Sequence, residues 1–258
     1  MAGMSMKDRG PAVTDRTTRI GWVTDAQNDF LLPPAEGGRL YIHDLFDETD
    51  EGARQVIPAL QKAVAWMRAN CALVVFTGDW HAYGDAEIDP EHPDPARETY
   101  PPHCMGMSDD PAERAGAQIH ASIRPDDPIV LPRDATEDDA RRAVARALAE
   151  RRPVFIQKDR FDVFRGNPSA EAFLAELRRR LGRLDVYVAG VARDVCVKHA
   201  VEGLLQPSRG CLVTLVTDAT WGLGLEPEAE SLARWTRDGV ALLTTRGLEL
   251  RAGLAPSS

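Results

Sequence analysis

Along the chain, short apolar runs rich in β-branched residues alternate with segments whose apolar positions recur every three or four residues. The runs "RIGWVTD" (19–25), "ALVVFTGD" (72–79), "PVFIQK" (153–158), "LDVYVAG" (184–190), "CLVTLVTD" (211–218) and "VALLTT" (240–245) predict six strands. Between the first two, "ARQVIPALQKAVAWMRAN" (53–70) places Val56, Leu60, Val64 and Met67 at helical spacing, with Pro58 tolerated in the first turn. "TEDDARRAVARALAERR" (136–152) predicts a helix with acids in its first turn and arginines in its last, the order the helix dipole favours. Further helices are predicted over 168–182, 194–205 and 226–239. Residues 80–136, dense in Pro, Asp and Gly, predict a long loop of the kind that is usually functional or disordered.

Nearly continuous apolar strands alternating with helices predict an α/β domain: a parallel sheet covered on both faces and joined by right-handed crossovers. One domain over 19–250 is expected, between tails at 1–18 and 251–258. With 258 residues, 43% of them hydrophobic, the chain can bury one substantial core. The net charge of −9 offers no phosphate-neutralising surface, so nucleic acid is not an expected partner, and the arginine clusters near 151 and 179 read as solvated helix ends. No apolar stretch approaches the roughly 20 residues that span a bilayer, and the first 18 residues lack the apolar segment of a secretory signal. Four cysteines (Cys71, Cys104, Cys196, Cys211) form no CxxC pair, which fits a reducing, cytoplasmic setting better than a disulfide framework.

In parallel sheets, ligands bind beyond the carboxyl ends of the strands. Here those ends carry chemistry. The first strand ends in Asp25, the second in Asp79 followed by Trp80 and His81, the third in Lys158, and the fourth runs through Gly190 toward Cys196. With Asp194 as a plausible cap, Cys196 falls in the first turn of a helix, where unpaired N–H groups favour a thiolate. A lone cysteine is more often a small buried hydrophobe; its place at a helix start among converging charged groups reverses that expectation. Cys71 and Cys211 open strands, away from this rim. Asp25 could accept the thiol proton, and Lys158 could stabilise the anions. Asp79 and His81, one residue apart at a strand end, share a face. With His103 from the long loop they offer one carboxylate and two imidazoles to a divalent ion such as Zn²⁺, Fe²⁺ or Mn²⁺. His43, His92, His120 and His199 have no evident partners.

With these residues assembled, the chain resembles the nicotinamidase branch of the isochorismatase-like cysteine hydrolases. The matches are "DAQNDF" with the following "GGRL", "GDWH", "PPHC", Lys158, "GVARDVCV" and "VTDAT", running from about residue 20 to 221. The resemblance implies a three-layer α/β/α sandwich with a six-stranded, mainly parallel sheet. It implies Cys196 as nucleophile, Asp25 as base and acid, Lys158 as their charge partner, and Asp79, His81 and His103 as metal ligands. It further implies a cis peptide before Ala192, with the N–H groups of Ala192 and Cys196 forming an oxyanion hole. The substrate would be a small-molecule amide attacked to give a thioester, with the metal holding a pyridine nitrogen, and the protein a homo-oligomer. Tyr100 stands where the family commonly has Trp; it and Phe30 are expected to stack on the substrate ring. The segments 82–98, 105–120 and 158–168 also depart from the family pattern. They flank the substrate pocket, which leaves room for another small amide, carbamoyl or ureido substrate, or for a non-catalytic thiol- and metal-binding protein.

Overall fold

The computed structural model describes residues 17–253, with the side chains of 252 and 253 excepted. Its strands are β1 (Thr17–Thr24), β2 (Leu73–Asp79), β3 (Ile129–Leu131), β4 (Val154–Lys158), β5 (Arg183–Val191), β6 (Leu212–Trp221) and β7 (Ala241–Leu243). All pair in parallel in one sheet of order β3-β4-β2-β1-β5-β6-β7. The helices are α1 (Asn28–Leu31), α2 (Ile57–Asn70), α3 (Pro111–Gly116), α4 (Glu137–Glu150), α5 (Val163–Gly166), α6 (Ala170–Leu181), α7 (Cys196–Leu205), α8 (Glu228–Arg237) and α9 (Thr245–Gly253).

The three-layer architecture follows from how each strand divides its side chains. In β1, Ile20 and Trp22 join the core beneath α4, α6, α7 and α8, while Val23 joins the core beneath α2 and α9. Leu60, Val64 and Met67 of α2 pack on that second face, as the helical spacing predicts. Both faces of the central strands are dry: every residue of β2 and β4 is buried. That explains their continuous apolar runs. No helix among the described residues is long and apolar enough to cross a membrane.

The sheet has seven strands where the sequence predicts six. The seventh, β3, lies within the segment read as loop. Three residues, one of them the half-exposed Val130, make too short a signal against the surrounding Pro and Asp, and only pairing with β4 brings them into the sheet. The same segment also holds α3. At the C-terminus α9 continues to Gly253, beyond the boundary expected at 250. It starts where Thr245 donates its N–H and Oγ1–H to the Asp218 carboxylate at 2.8 and 2.7 Å, a tertiary contact that no local pattern announces. The N-terminal tail expected over 1–18 lies outside the described residues except Thr17 and Thr18, which open β1. Residues 254–258 also lie outside them.

Where β5 runs beside β1, a tight steric constraint lies near the site. Gly190 has φ +128°, and a Cβ there would lie 1.9 Å from the Thr24 carbonyl oxygen. The ladder between β5 and β6 shifts register at this point, turning the chain from strand into the segment that leads to Cys196. Gly190→Ala is therefore expected to destabilise the fold by about 3 kcal/mol or more. Urea denaturation of the two proteins measures this; a change within ~0.5 kcal/mol would show that the backbone relaxes freely there.

Candidate active site

The carboxyl ends of β1, β2, β4 and β5 meet at one rim, because β4, β2, β1 and β5 are consecutive in the sheet. Lys158 is the last residue of β4 and pairs in register with Asp79, the last residue of β2. Its ammonium lies 2.8 Å from Asp25 Oδ2 and donates to Asp79 Oδ1. All three side chains are buried. Cys196 Sγ joins them, with its sulfur and carboxylate oxygens of Asp25 and Asp79 all within 4.8 Å of one another.

Several side chains hold this cluster in place. Thr77 donates its hydroxyl to Asp25 Oδ1 at 2.8 Å, leaving Oδ2 toward Lys158. Asp25 itself adopts a left-handed φ of 47°, a conformation Asp tolerates better than most side chains. Gln27, two residues on, clamps the end of β2. Its Nε2 donates to the carbonyl of Asp79 at 2.8 Å and its Oε1 accepts that residue's N–H at 2.8 Å. Asp29 then accepts the Cys104 N–H at 2.6 Å, which fixes the loop just after His103. The "DAQND" run thus anchors three parts of the site with three alternate polar residues. Gln27 and Asp29 are absent from the site residues read from sequence. Their regular spacing after Asp25 is the signal that could have found them.

The electrostatics follow from one ammonium shared by two buried carboxylates. Burial opposes the charge on Lys158, yet Asp25 and Asp79 together raise its pKa well above the usual lysine value. Burial also opposes the charge on Asp79, but Lys158, His81 and His103 hold its pKa below the ordinary range. Asp25 goes the other way: burial raises its pKa, with the Asp79 charge adding to the effect against the pull of Lys158. The cluster already carries one net negative charge when Lys158 and both carboxylates are ionised. A thiolate would add a second.

Accordingly, burial pushes the Cys196 thiol well above its usual pKa despite the nearby ammonium. This corrects the sequence expectation of a thiolate favoured by the helix start. Cys196 is the first residue of α7, but desolvation outweighs the helix terminus. Asp194 does not cap this helix. Its two carboxylate oxygens accept the Leu223 N–H at 2.9 and 3.1 Å, and one accepts the Leu225 N–H at 2.8 Å. It therefore ties the chain after β6 to the turn before Cys196, a pairing across 29 residues that capping patterns do not report. The Val191–Ala192 peptide is cis. Val195 and Val197 both donate to the Ala192 carbonyl, and Arg193 to that of Trp221. Among the described residues, the Ala192 and Cys196 N–H groups are left without a backbone acceptor.

Beside Lys158, the second oxygen of Asp79 faces two imidazoles. His81 Nε2 and His103 Nε2 each lie 3.9 Å from Asp79 Oδ2. That is too long for hydrogen bonds. Two ligands at about 2.1 Å from a tetrahedral ion lie about 3.4 Å apart, so the three atoms fit around one ion with small adjustment. His103 is held in the right tautomer by its Nδ1, which donates to the Pro101 carbonyl at 2.8 Å. Burial lowers its pKa to about 4, with His81 adding to the effect, so the ring is neutral. His81 is fully buried, and neither ring nitrogen has a hydrogen-bond partner among the described residues. A buried nitrogen without a partner is costly unless something binds there. His81 Nδ1 is 3.4 Å from Asp85, whose carboxylate takes two hydrogen bonds from Arg133. Of the other histidines, His199 packs against Phe161 with ring centroids 4.8 Å apart, a helix residue with an aromatic neighbour.

A chamber of about 30 Å³ opens over Cys196, walled by Phe30, Tyr100, Phe161, Ala192 and Glu87 among others. The Phe30 and Tyr100 rings flank His103, at centroid distances of 5.5 and 6.1 Å. Glu87, which the sequence reading passed over, is buried and accepts the Phe161 N–H with both oxygens, at 3.0 and 3.1 Å. Burial and the Asp79 charge raise its pKa to about 8.

This rim, with an acid, a lysine and a cysteine beside a carboxylate–imidazole cluster, defines an α/β enzyme of the isochorismatase-like hydrolase class. Residues 22–247 match the isochorismatase domain, and the chain belongs to that family. Its fold is shared by PnC1 from L. infantum in complex with nicotinate, at 23% identity, TM-score 0.61, and coverage of 90% of this chain and 94% of that one. It is shared by the pyrazinamidase of Pyrococcus horikoshii in complex with zinc, at 23% identity, TM-score 0.57, and coverage of 88% and 99%. The N-carbamoylsarcosine amidase of Thermoplasma acidophilum is similar at 19% identity, TM-score 0.56, and coverage of 89% and 97%. No curated protein matches the chain by sequence.

Glu87 provides a test of the site's electrostatics. It keeps its proton in the fold up to about pH 8, whereas an exposed glutamate loses it near 4.5. The folded state therefore binds more protons than the unfolded state across that window, and this group's contribution to stability falls as pH rises through it. Glu87→Gln keeps an acceptor for Phe161 without the charge. Thermal melts are expected to show it more stable than wild type at pH 8.5, by a few degrees, with little difference at pH 4.5. Equal gains at both pH values would contradict the shift.

Proposed function

We propose that the protein is a metal-assisted cysteine amidohydrolase of the nicotinamidase type. In this reading it converts nicotinamide and water to nicotinate and ammonia through a thioester on Cys196. The observation that carries it is the gathering of Cys196 Sγ and Asp25 around the buried Lys158 ammonium. The raised pKa of Asp25 makes it a stronger base than an ordinary aspartate, suited to take a proton from a thiol whose own pKa is raised.

Asp25 accepts the Cys196 proton as the sulfur attacks the amide carbonyl carbon. The Ala192 and Cys196 N–H groups receive the developing oxyanion, a contribution of about 3 kcal/mol per donor. Asp25 returns the proton to the departing nitrogen, and ammonia leaves. It then takes a proton from the water that attacks the thioester, and the carboxylic acid departs as the thiol is restored. Lys158 keeps the negative cluster together throughout. Phe30 and Tyr100 stack on the substrate ring. Asp79, His81 and His103 would hold a divalent ion, Zn²⁺, Fe²⁺ or Mn²⁺, which supplies a Lewis acid for a heteroatom of the substrate. The likeness in fold to a zinc-bound pyrazinamidase agrees with this donor set.

A second substrate class is a carbamoyl or ureido compound. It is favoured by Glu87, whose carboxyl on the chamber wall suits extra N–H donors, and by the likeness to an N-carbamoylsarcosine amidase. A homo-oligomer in a reducing, cytoplasmic setting belongs to the same proposal, as does a single domain.

Ammonia release from nicotinamide, pyrazinamide and a panel of small amides and carbamoyl compounds tests the reaction. Cys196→Ala and Asp25→Asn are each expected to lower kcat by at least ~10³-fold. Wild-type-like turnover by Cys196→Ala would refute the covalent route. The acid limb of kcat/KM is expected above the ordinary aspartate range of about 4, since activity needs Asp25 unprotonated and is lost as pH falls through its raised pKa. A limb at or below 4 would count against Asp25 as base. His103→Ala is expected to lose most bound metal by elemental analysis, and undiminished metal content would exclude His103 as a ligand.

A further inference from the structure

The chamber over Cys196 is small. Its volume is about 30 Å³, whereas small-molecule sites usually reach about 300–1,000 Å³. Immediately outside it lies a cavity of about 500 Å³. The two share three wall residues, Leu40, Tyr100 and Leu223, so the larger space is the vestibule of the smaller. Most of its remaining wall is apolar, with Tyr41 and Leu45 on one side, Pro93 on the second and Leu225 on the third. These walls come from the chain after α1, from the 80–136 segment and from the chain after β6.

Two further observations tie this vestibule to the reacting centre. Asp194, two residues before the nucleophile, holds the N–H groups of both Leu223 and Leu225. Leu45 N–H in turn donates to the Leu223 carbonyl at 2.9 Å. The outer wall is thus hydrogen-bonded, residue by residue, to the turn that carries Cys196. Leu45 and Leu225 nevertheless remain 48% and 45% exposed, apolar surface held at the mouth of the site.

We propose that the outer cavity is a substrate subsite, and that the preferred substrate is an amide with an apolar body larger than one ring, its carboxamide and first ring in the inner chamber beside Phe30 and its further body between Leu45, Tyr100 and Leu225. The inference rests on the cysteine amidohydrolase reading and extends it to the size and polarity of the substrate. Leu40, Tyr100 and Leu223, common to both spaces, form the neck through which the further body joins the first ring. The size of the inner chamber makes the prediction directional, because a substrate extending beyond the first ring must extend outward.

The test compares two amides, an unsubstituted pyridine carboxamide and the same ring carrying a phenyl group. Turnover is measured with wild type and binding, by calorimetry, with Cys196→Ala. The phenyl compound is expected to show at least about tenfold higher kcat/KM, mainly through KM, and correspondingly tighter binding. Leu225→Asp is expected to collapse that ratio toward one, and Leu225→Met, which keeps the apolar wall, to retain it. Hydrolysis of both amides with no advantage for the phenyl compound, or a ratio unmoved by Leu225→Asp, would overturn the subsite and leave the amidohydrolase reading standing. Tighter binding of the phenyl compound without turnover by wild type would uphold the cavity as a binding site and overturn the reaction. Neither binding nor turnover would overturn both.

Discussion

A single buried ammonium organises this rim of the sheet. Lys158 enters the interior along β4 and meets carboxylates at the ends of β2 and β1, the next two strands across the sheet. Removing the ammonium would leave two buried carboxylates unpaired, which is far more costly than removing one member of an exposed pair. The geometry is possible because β4, β2 and β1 are adjacent and parallel, so their ends coincide in space. With one positive and two negative charges already present, the cluster resists a further anion. Burial, reinforced by that negative charge, leaves the thiol of Cys196 and the carboxyl of Asp25 both with raised proton affinity, as a donor and acceptor pair rather than a preformed thiolate.

The metal-type donors belong to the same arrangement. Asp79 serves both halves of the site with its two oxygens, one toward Lys158 and one toward His81 and His103. Its backbone is fixed by Gln27, whose side chain reaches from the chain after β1 to the end of β2. A shift at Gln27 would therefore disturb the lysine cluster and the imidazole cluster together. The two rings are placed differently: His103 donates to a carbonyl, whereas His81 lies 3.4 Å from the Arg133-bound Asp85. This division places three lone-pair donors around one point without any of them bonding to another.

Much of this was legible in the chain. Strands buried on both faces need uninterrupted apolar runs, so β1, β2, β4, β5 and β6 announce themselves, and the rule that parallel strands present their ends on one side brings Asp25, Asp79, Lys158 and Cys196 into one frame. The positions of His81 and His103 beside Asp79 were legible for the same reason, helped by motif resemblance. What escaped had no local signature. β3 is three residues long and exists by pairing with β4. Asp194 looks like a helix cap but bonds to Leu223 and Leu225, which are distant in sequence. Glu87 lies in a Pro- and Asp-rich stretch indistinguishable from a solvated loop, yet it is buried against Phe161.

The sequence by itself determined the class of fold and which side chains stand at the strand ends, because hydrophobic periodicity reports burial and burial on both faces reports a parallel sheet. Only the tertiary structure decided how those side chains share protons and space. Desolvation and long-range charge set the state of Cys196, reversing what its place at a helix start suggests. The closure of three distant segments around Tyr100 set the size of the inner chamber and of the cavity outside it. Both are properties of distances between residues far apart in the chain, which no pattern of neighbours along it encodes.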